Sequence, residues 1–276
     1  GAEMLQFLID VLMRACDLAL VAIALSAVYS LMKFPNVALV QYATAGALLA
    51  ILFQRSGVPV WLAIGCGVGL TGLIGVLLNE FIFSRMLKSG SATAMIGSLA
   101  VSMIISAVFL LAVGPTATRF ALPISRPMRI LGARITEWQL WSFGVVAGAL
   151  LLFALLYFRT DLGRQMRATA TNEVLADATG INTRRMKALI VLISGFLAAL
   201  GGVAIALKGE ISIQTGLDLL LPVFAAAILG GLGNPFGAVA GALVIAVAET
   251  IVTNTNLQVR KVAGGRQHFV VTLDLH

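Results

Sequence analysis

The sequence predicts an all-α, polytopic transmembrane bundle of about eight spans with interrupted helices. Three observations predict it. Hydrophobic residues make up 59% of the 276 and charged residues only 11%, against about 25% charged in a soluble domain. The mean hydropathy is +1.00. The Lys and Arg residues fall in short segments between long apolar runs, as they do when a bilayer excludes charge at about 2.5–3.5 kcal/mol per residue.

The elements follow in order. The first apolar run is 18–32, short unless it borrows from 11–17. A break at Lys33-Phe34-Pro35-Asn36 precedes the second run, 37–53. The third, 58–78, carries no charge and ends at Asn79-Glu80. The runs 92–113, 138–158 and 188–207 follow, then 219–229, which is too short to span, and 236–252.

Ahead of the first run, Gln6, Asp10, Arg14 and Asp17 share a helical stripe, and Asp10–Arg14 and Arg14–Asp17 have pairing distance on a helix. Residues 1–17 therefore read as an interfacial helix or as a polar stripe facing a cavity. Gly1-Ala2-Glu3 ahead of Met4 reads as an added start, and no signal peptide is evident. Residues 18–253 form the transmembrane domain. Residues 254–276, with Arg260, Lys261, Arg266 and His268, contain no spanning run and read as a polar tail, foreign or truncated.

The segment 159–187 holds Arg159, Arg164, Arg167, Arg184, Arg185 and Lys187. The positive-inside rule places it in the cytoplasm. Arg85, Lys88 and Lys33 then lie on the same side and the loop 115–137 lies outside, although that loop carries four arginines of its own.

The net charge of +7 does not indicate nucleic acid, because the basic residues are dispersed between spans. No G-x-x-x-x-G-K-[ST], H-E-x-x-H, C-x-x-C or G-x-S-x-G string occurs, and the two histidines, His268 and His276, both lie in the tail. No catalytic residue, metal site or cofactor is expected in the membrane body. Cys16 and Cys66 lie in apolar runs and read as small core residues.

Within 159–187, Thr171 or Asn172 can cap a helix with its side-chain oxygen. Glu173 suits the first turn. Val174, Leu175 and Ala178 give an apolar face, and Gly180 supplies the left-handed residue that ends a helix. A cytoplasmic loop with its own short rigid helix suits docking to a soluble partner. The glycine string Gly230-Gly231-Leu232-Gly233-Asn234-Pro235 reads either as close helix packing, with Gly233/Gly237, Gly237/Gly241 and Gly144/Gly148 as G-x-x-x-G pairs, or as a broken helix lining a path. Gln41, Tyr42 and Thr44 are polar groups in an apolar run, which is costly unless they are paired or face a cavity.

Three stretches resemble the permease subunits of branched-chain amino acid ABC transporters. Gly163, Arg167 and Ala168, followed by Asn172-Glu173, Ala176 and Gly180-Ile181-Asn182-Thr183, are similar to the family's coupling segment. The run 227–241 is similar to its A-x-x-G-G-x-G-x-x-x-G-A-x-x-G string. The stretch from Asn36 to Ala47 resembles its N-x-A-H-G-E-x-x-x-x-G-A segment, but Leu39, Val40 and Gln41 stand where His, Gly and Glu are common. The family usually continues with one further apolar helix after the Glu249 region.

The resemblance implies an ABC importer permease-like fold, multi-pass in a bacterial inner membrane. It implies that the chain forms a path for branched-chain or other small amino acids and hydrolyses nothing itself. The implied partners are ATP-binding subunits, a second permease subunit (a heterodimer, with a homodimer as the alternative), a periplasmic substrate-binding protein and membrane lipid. Arg167, Asn172, Glu173, Ala176, Asp177, Gly180, Thr183 and Arg184 are the expected ATPase-coupling residues. Asn36, Gln41, Tyr42, Thr44, Gly230, Gly231, Gly233, Asn234 and Pro235 are the expected path residues. Urea and short amides use related permeases. A rival reading, an ion-gradient-driven transporter, calls for a free intramembrane carboxylate, with Asp17, Glu80, Asp218 and Glu249 as candidates. A structural subunit without a path is the third.

Overall fold

The computed structural model describes residues 1–273, with side chains as far as Gln258. Helix α1 (Ala2–Met32) is followed by α2 (Leu39–Arg55) and α3 (Val60–Leu78). A π-helical turn, Asn79–Phe83, leads into the short α4 (Ser84–Leu87), and α5 (Ser91–Val113) follows. An antiparallel hairpin, β1 (Met128–Ile130) and β2 (Ala133–Ile135), precedes α6 (Glu137–Arg159). Then come α7 (Asp161–Thr171), α8 (Glu173–Ala178), α9 (Thr183–Lys208), α10 (Ile213–Leu229) and α11 (Pro235–Leu273).

Six helices among the described residues are long and apolar enough to cross a membrane. The helices α2 and α10 have 17 residues each, about 25 Å, and are too short to be counted with these six. Helices α1 and α9 form its centre: Leu20, Val21, Ala22, Ile23, Ala198, Ala199, Val203 and Ala204 have no exposed surface. Little hydrophobic drive exists between helices in lipid, so small residues that let backbones approach set the contacts. Between α2 and α9 this is literal. A Cβ on Gly202 would collide with the Ala43 carbonyl, and one on Gly46 with Ala199.

The elements sort onto two faces. On one, Lys33 Nζ donates to the Ala170 carbonyl at 2.9 Å, Ser91 Oγ to the Lys33 carbonyl at 3.0 Å, and Arg184 pairs with Glu80 at 3.3 Å. On the other, Gln54 exchanges two 3.0 Å hydrogen bonds with Ala121, Arg119 pairs with Glu210 at 2.6 Å, and Thr118 forms a bridge with Ile211. Lys33 and the segment 159–187 thus share one face, and the loop 115–137 lies on the opposite face. The first of these is the face that the positive-inside rule expects in the cytoplasm.

Three expectations change. Residues 1–17 are not a separate element, because α1 runs unbroken from Ala2. The polar stripe lies within this helix, and its charges have partners. Gln6 bonds Asp10 at 3.0 Å, Arg14 reaches Glu249 of α11 at 2.5 Å and Asp17 at 3.9 Å, and Lys208 at the end of α9 pairs with Asp17. The backbone of residues 254–273 continues α11 without a break. Residues 274–276, and the side chains of Arg260, Lys261, Arg266 and His268, lie outside the described residues. Finally, Cys16 is buried as expected, but Cys66 is exposed on the outer surface of α3.

The outer loop also has order that its composition does not predict. Leu131 and Gly132 both take positive φ, 52° and 90°, the signature of a tight I′ hairpin. The hairpin rests on the start of α1, where the Arg134 amide donates to Gln6 Oε1 at 3.0 Å.

Candidate functional site

The face that carries Lys33 and the segment 159–187 is built around α7 and α8. Thr160 caps α7, its hydroxyl accepting from the Gly163 amide at 3.2 Å. Gly163 packs against the carbonyls of Leu156 and Tyr157 with no room for a Cβ, so α7 folds back sharply against the end of α6. Met166 and Thr169 are buried on the same side. Arg167 lies with its guanidinium 5.9 Å from the Tyr157 ring centroid and 5.5 Å from that of Phe158, within cation–π range. It therefore braces α7 on α6.

Asn172, of the two candidate caps, is the one that caps α8: its Oδ1 accepts from the Leu175 amide at 3.0 Å. Thr171 instead ends α7. At the other end the Gly180 amide bonds the Asp177 carbonyl and the Ile181 amide bonds the Ala176 carbonyl, both at 3.1 Å. With Gly180 at φ 92°, this is a Schellman ending.

Two side-chain contacts fix α8 to α9. Glu173 pairs with Lys187 at 2.5 Å, Asp177 accepts from the Thr183 hydroxyl at 2.7 Å, and Ala176 is buried. Arg184 reaches away to Glu80. The apolar face predicted for this helix does not turn inward. Val174 is 80% exposed and Leu175 60% exposed. A groove of about 740 Å³ runs beside α8 between the π-helical turn and the start of α9, lined by Asn79, Glu80, Arg85, Glu173 and Arg184 among others. A pinned helix with an outward apolar pair beside a charged groove is a surface that a soluble protein can grip.

The second group lies inside the bundle. After Lys33, itself in the left-handed conformation at φ 59°, the chain climbs along α5 instead of turning at the surface. The Val37 amide is bonded by Ser98 Oγ at 3.0 Å, and Ser98 is seven residues past Ser91, a rise of about 10 Å. Irregular backbone at that depth is tolerated only where protein surrounds it or water reaches it. Here protein surrounds it: Phe34, Asn36, Val37 and Ala38 are all buried. Asn36 Oδ1 accepts from the Ala38 amide at 3.0 Å and so starts the next helix.

Helix α2 therefore begins within the membrane, and Gln41, Tyr42 and Thr44 sit deep. All three are buried, yet both side-chain atoms of Gln41, the Tyr42 hydroxyl and the Thr44 hydroxyl have no hydrogen-bond partner. Opposite Gln41 and Thr44 stands Gly216 of α10. Sequence reading misses Gly216, because nothing in its local string marks it. The only signal is the unpaired polarity 170 residues earlier, and no sequence pattern connects the two.

The third group, Gly230 to Pro235, forms the turn between α10 and α11. Gly231 and Gly233 have φ of 89° and 92°, and Asn234 Oδ1 accepts from the Gly237 amide at 3.2 Å to start α11. Gly230 abuts the Gly237 carbonyl and Gly241 abuts the Ala226 carbonyl, so the glycines bring α10 and α11 into backbone contact. Pro235 is the first residue of α11, where its missing N–H costs nothing. Gly231 and Asn234 are exposed. This turn closes a helical hairpin, and it is Gly216, not the glycine string, that faces Gln41 and Thr44.

Comparison with known proteins gives a consistent picture. A family model described as branched-chain amino acid transport system / permease component matches residues 7–262. The chain is 27% identical over 246 residues to a probable branched-chain amino acid transport permease protein LivH of Methanocaldococcus jannaschii, covering 86% of this chain and 77% of that one. It is 26% identical to the high-affinity permease protein BraD of Pseudomonas aeruginosa, covering 89% of this chain and 85% of that one. To the Escherichia coli LivH permease it is 34% identical over 120 residues, a match that spans 43% of this chain and 39% of that protein.

Proposed function

Because the chain belongs to the family of branched-chain amino acid transport system permeases, a multi-pass inner-membrane component of ABC importers, we propose that it forms one half of a path for small zwitterionic amino acids. The observation that carries this reading is α8: a capped, pinned helix that holds Val174 and Leu175 out into solvent on the basic face.

In this reading an ATP-binding subunit seats its groove on α8, and ATP binding pushes it. The push passes to α9 through Glu173–Lys187 and Asp177–Thr183, and to the π-helical turn through Arg184–Glu80. α9 touches α1, α2, α3 and α6, so a displacement at its cytoplasmic end moves the packed core as a unit. In this reading the chain hydrolyses nothing itself, and ATP turnover belongs to the partner. A periplasmic binding protein delivers solute to the outer face, where the β1–β2 hairpin and the 114–127 segment lie.

A second permease chain completes the path. The exposed apolar side chains of α3, α5 and α6, including Trp61, Leu73, Ile96, Ile104 and Leu152, face that chain or lipid. An aliphatic amino acid suits a path with few charges. The ion-gradient alternative draws no support from Asp17, Glu80 and Glu249, because each is held by a cation. Asp218 lies exposed on α10.

The test is co-purification of the ATP-binding subunits from membranes with the wild-type chain, Glu173→Arg and Leu175→Asp. The reading expects capture by the wild type and at least tenfold less by either variant. Equal capture by all three, or leucine uptake into liposomes by the purified chain without ATPase, contradicts it.

A further inference from the structure

We infer that Gln41, Thr44 and the facing turn at Gly216 form a closed recognition gate, whose unpaired side-chain groups receive the polar head of a zwitterionic solute when α10 swings away from α2. The inference rests on the permease reading and names the point on the path where solute is recognised.

Four observations carry it. First, Gln41 and Thr44 are 1% and 2% exposed, and Gln41 Oε1, Gln41 Nε2 and Thr44 Oγ1 have no hydrogen-bond partner. Buried side-chain polar atoms are nearly always satisfied, and one that is not asks for an explanation. Three together on one turn of α2 are a set of donors and acceptors held ready.

Second, the opposing surface is glycine. A Cβ on Gly216 would stand 2.6 Å from Thr44 Oγ1 and 2.9 Å from Gln41 Oε1. A side chain there would press on both polar groups and displace them, so the glycine is what lets α10 close over them in this arrangement.

Third, a proline separates Gly216 from the seated half of α10. Its C-terminal half is locked to α11 through Gly230–Gly237 and Ala226–Gly241. Pro222 stands within the helix, between that half and Gly216. Proline removes the bond to the carbonyl four residues earlier, here that of Asp218, and makes a natural kink point. The segment before Pro222, carrying with it the 118–119 stretch bonded to its start, can swing while the segment after it stays seated.

Fourth, the chemistry matches a zwitterion. Gln41 Nε2 and the Thr44 hydroxyl can donate to a carboxylate, and Gln41 Oε1 can accept from an ammonium. Gly216 lies in the first turns of α10, whose positive dipole end favours the carboxylate. The gate has no ionised side chain among these residues, so a solute of net charge would meet no counter-charge in a low-dielectric passage. A neutral pair of opposite charges is the class that fits.

The experiment uses the complete importer in ATP-loaded proteoliposomes, with radiolabelled leucine as the probe, and compares wild type, Gln41→Leu and Thr44→Val. The gate predicts at least a tenfold fall in uptake efficiency for each variant. It also predicts that the melting temperature of each purified chain is unchanged or higher, because each replacement removes an unsatisfied buried polar group. A structural role for these side chains predicts lower melting instead. A second arm reads the closure directly. With Cys66→Ser as background, Thr44→Cys resists a small hydrophilic thiol reagent, and adding Gly216→Val speeds its reaction at least tenfold. Wild-type uptake by both polar variants, lowered melting in both, or a labelling rate that ignores Gly216→Val overturns the gate and leaves the importer reading standing. A wild-type complex that takes up nothing overturns the importer reading and the gate with it.

Discussion

Gly216 of α10 faces Thr44 of α2 so closely that a Cβ on the glycine would stand 2.6 Å from the threonine hydroxyl. Two helices about 170 positions apart in the chain thus meet where one has unpaired polarity and the other has no side chain. The contact ties the sequence to a mechanism. The break at Pro35 sinks the start of α2 to membrane depth, that depth leaves Gln41 and Thr44 without water, and α10 closes over them.

The α2–α9 crossing depends on small residues in the same way. Gly202 lies against the Ala43 carbonyl, and both backbones are fixed by packed neighbours. Overpacking of a tight core costs about 1–3 kcal/mol and at times more. Gly202→Leu is expected to lower stability by about 3 kcal/mol, read as a fall in melting temperature in detergent. Gly144→Leu, where a Cβ meets nothing within 4 Å, is expected to leave melting unchanged.

The charge cluster at the outer end joins α1, α9 and α11 through Arg14, Asp17, Lys208 and Glu249. Lys208→Met leaves Asp17 with only the 3.9 Å Arg14 contact. Breaking a fully buried pair costs about 3–5 kcal/mol. These side chains are 12% and 19% exposed, so a loss of about 2 kcal/mol is expected. Adding Asp17→Asn is expected to recover part of it, and a double-mutant cycle of melting temperatures measures the coupling.

Helix α8 owes its shape to its two caps. Asn172→Ala removes the bond to the Leu175 amide and is expected to cost about 1 kcal/mol locally. Gly180→Val forces a branched side chain into φ 92°, with a similar or larger local cost. Hydrogen exchange over residues 173–181 is the measurement. Both variants are expected to speed exchange there several-fold while leaving α1 protected.

The two cysteines have different settings. Cys66 is exposed on α3 and Cys16 is buried between helices. A membrane-permeant maleimide is expected to modify Cys66 of the purified chain and spare Cys16, as read by peptide mass spectrometry. Modification of both would contradict the packing around α1.

Much of this was legible in the sequence, and the reason is periodicity and composition. A run of apolar residues long enough to span is a property of neighbouring residues, so the boundaries of α3, α5, α6 and α9 fall close to the expected ones. The α8 cap and its glycine ending were legible for the same reason, since Asn172 and Gly180 act within one or two turns. What failed was long-range. Arg14 and Asp17 read as part of a separate interfacial helix because their partners Glu249 and Lys208 are some 190 to 240 positions away. The exposure of Val174 and Leu175 could not be seen from an apolar pattern that normally turns inward. The hairpin at Leu131-Gly132 has three-residue strands, too short for alternation to show. Gln41 announced an anomaly, and only the fold supplied Gly216 as its counterpart.

The most direct measurement is a cross-link from α8 to its motor. In a background with Cys16 and Cys66 replaced, Val174→Cys and Ser125→Cys are each given a short bifunctional thiol reagent in membranes holding the assembled complex. The account predicts a covalent adduct with the ATP-binding subunit from Val174→Cys and none from Ser125→Cys on the opposite face. An adduct from Ser125→Cys alone, or none from Val174→Cys in a complex that hydrolyses ATP and transports, contradicts it.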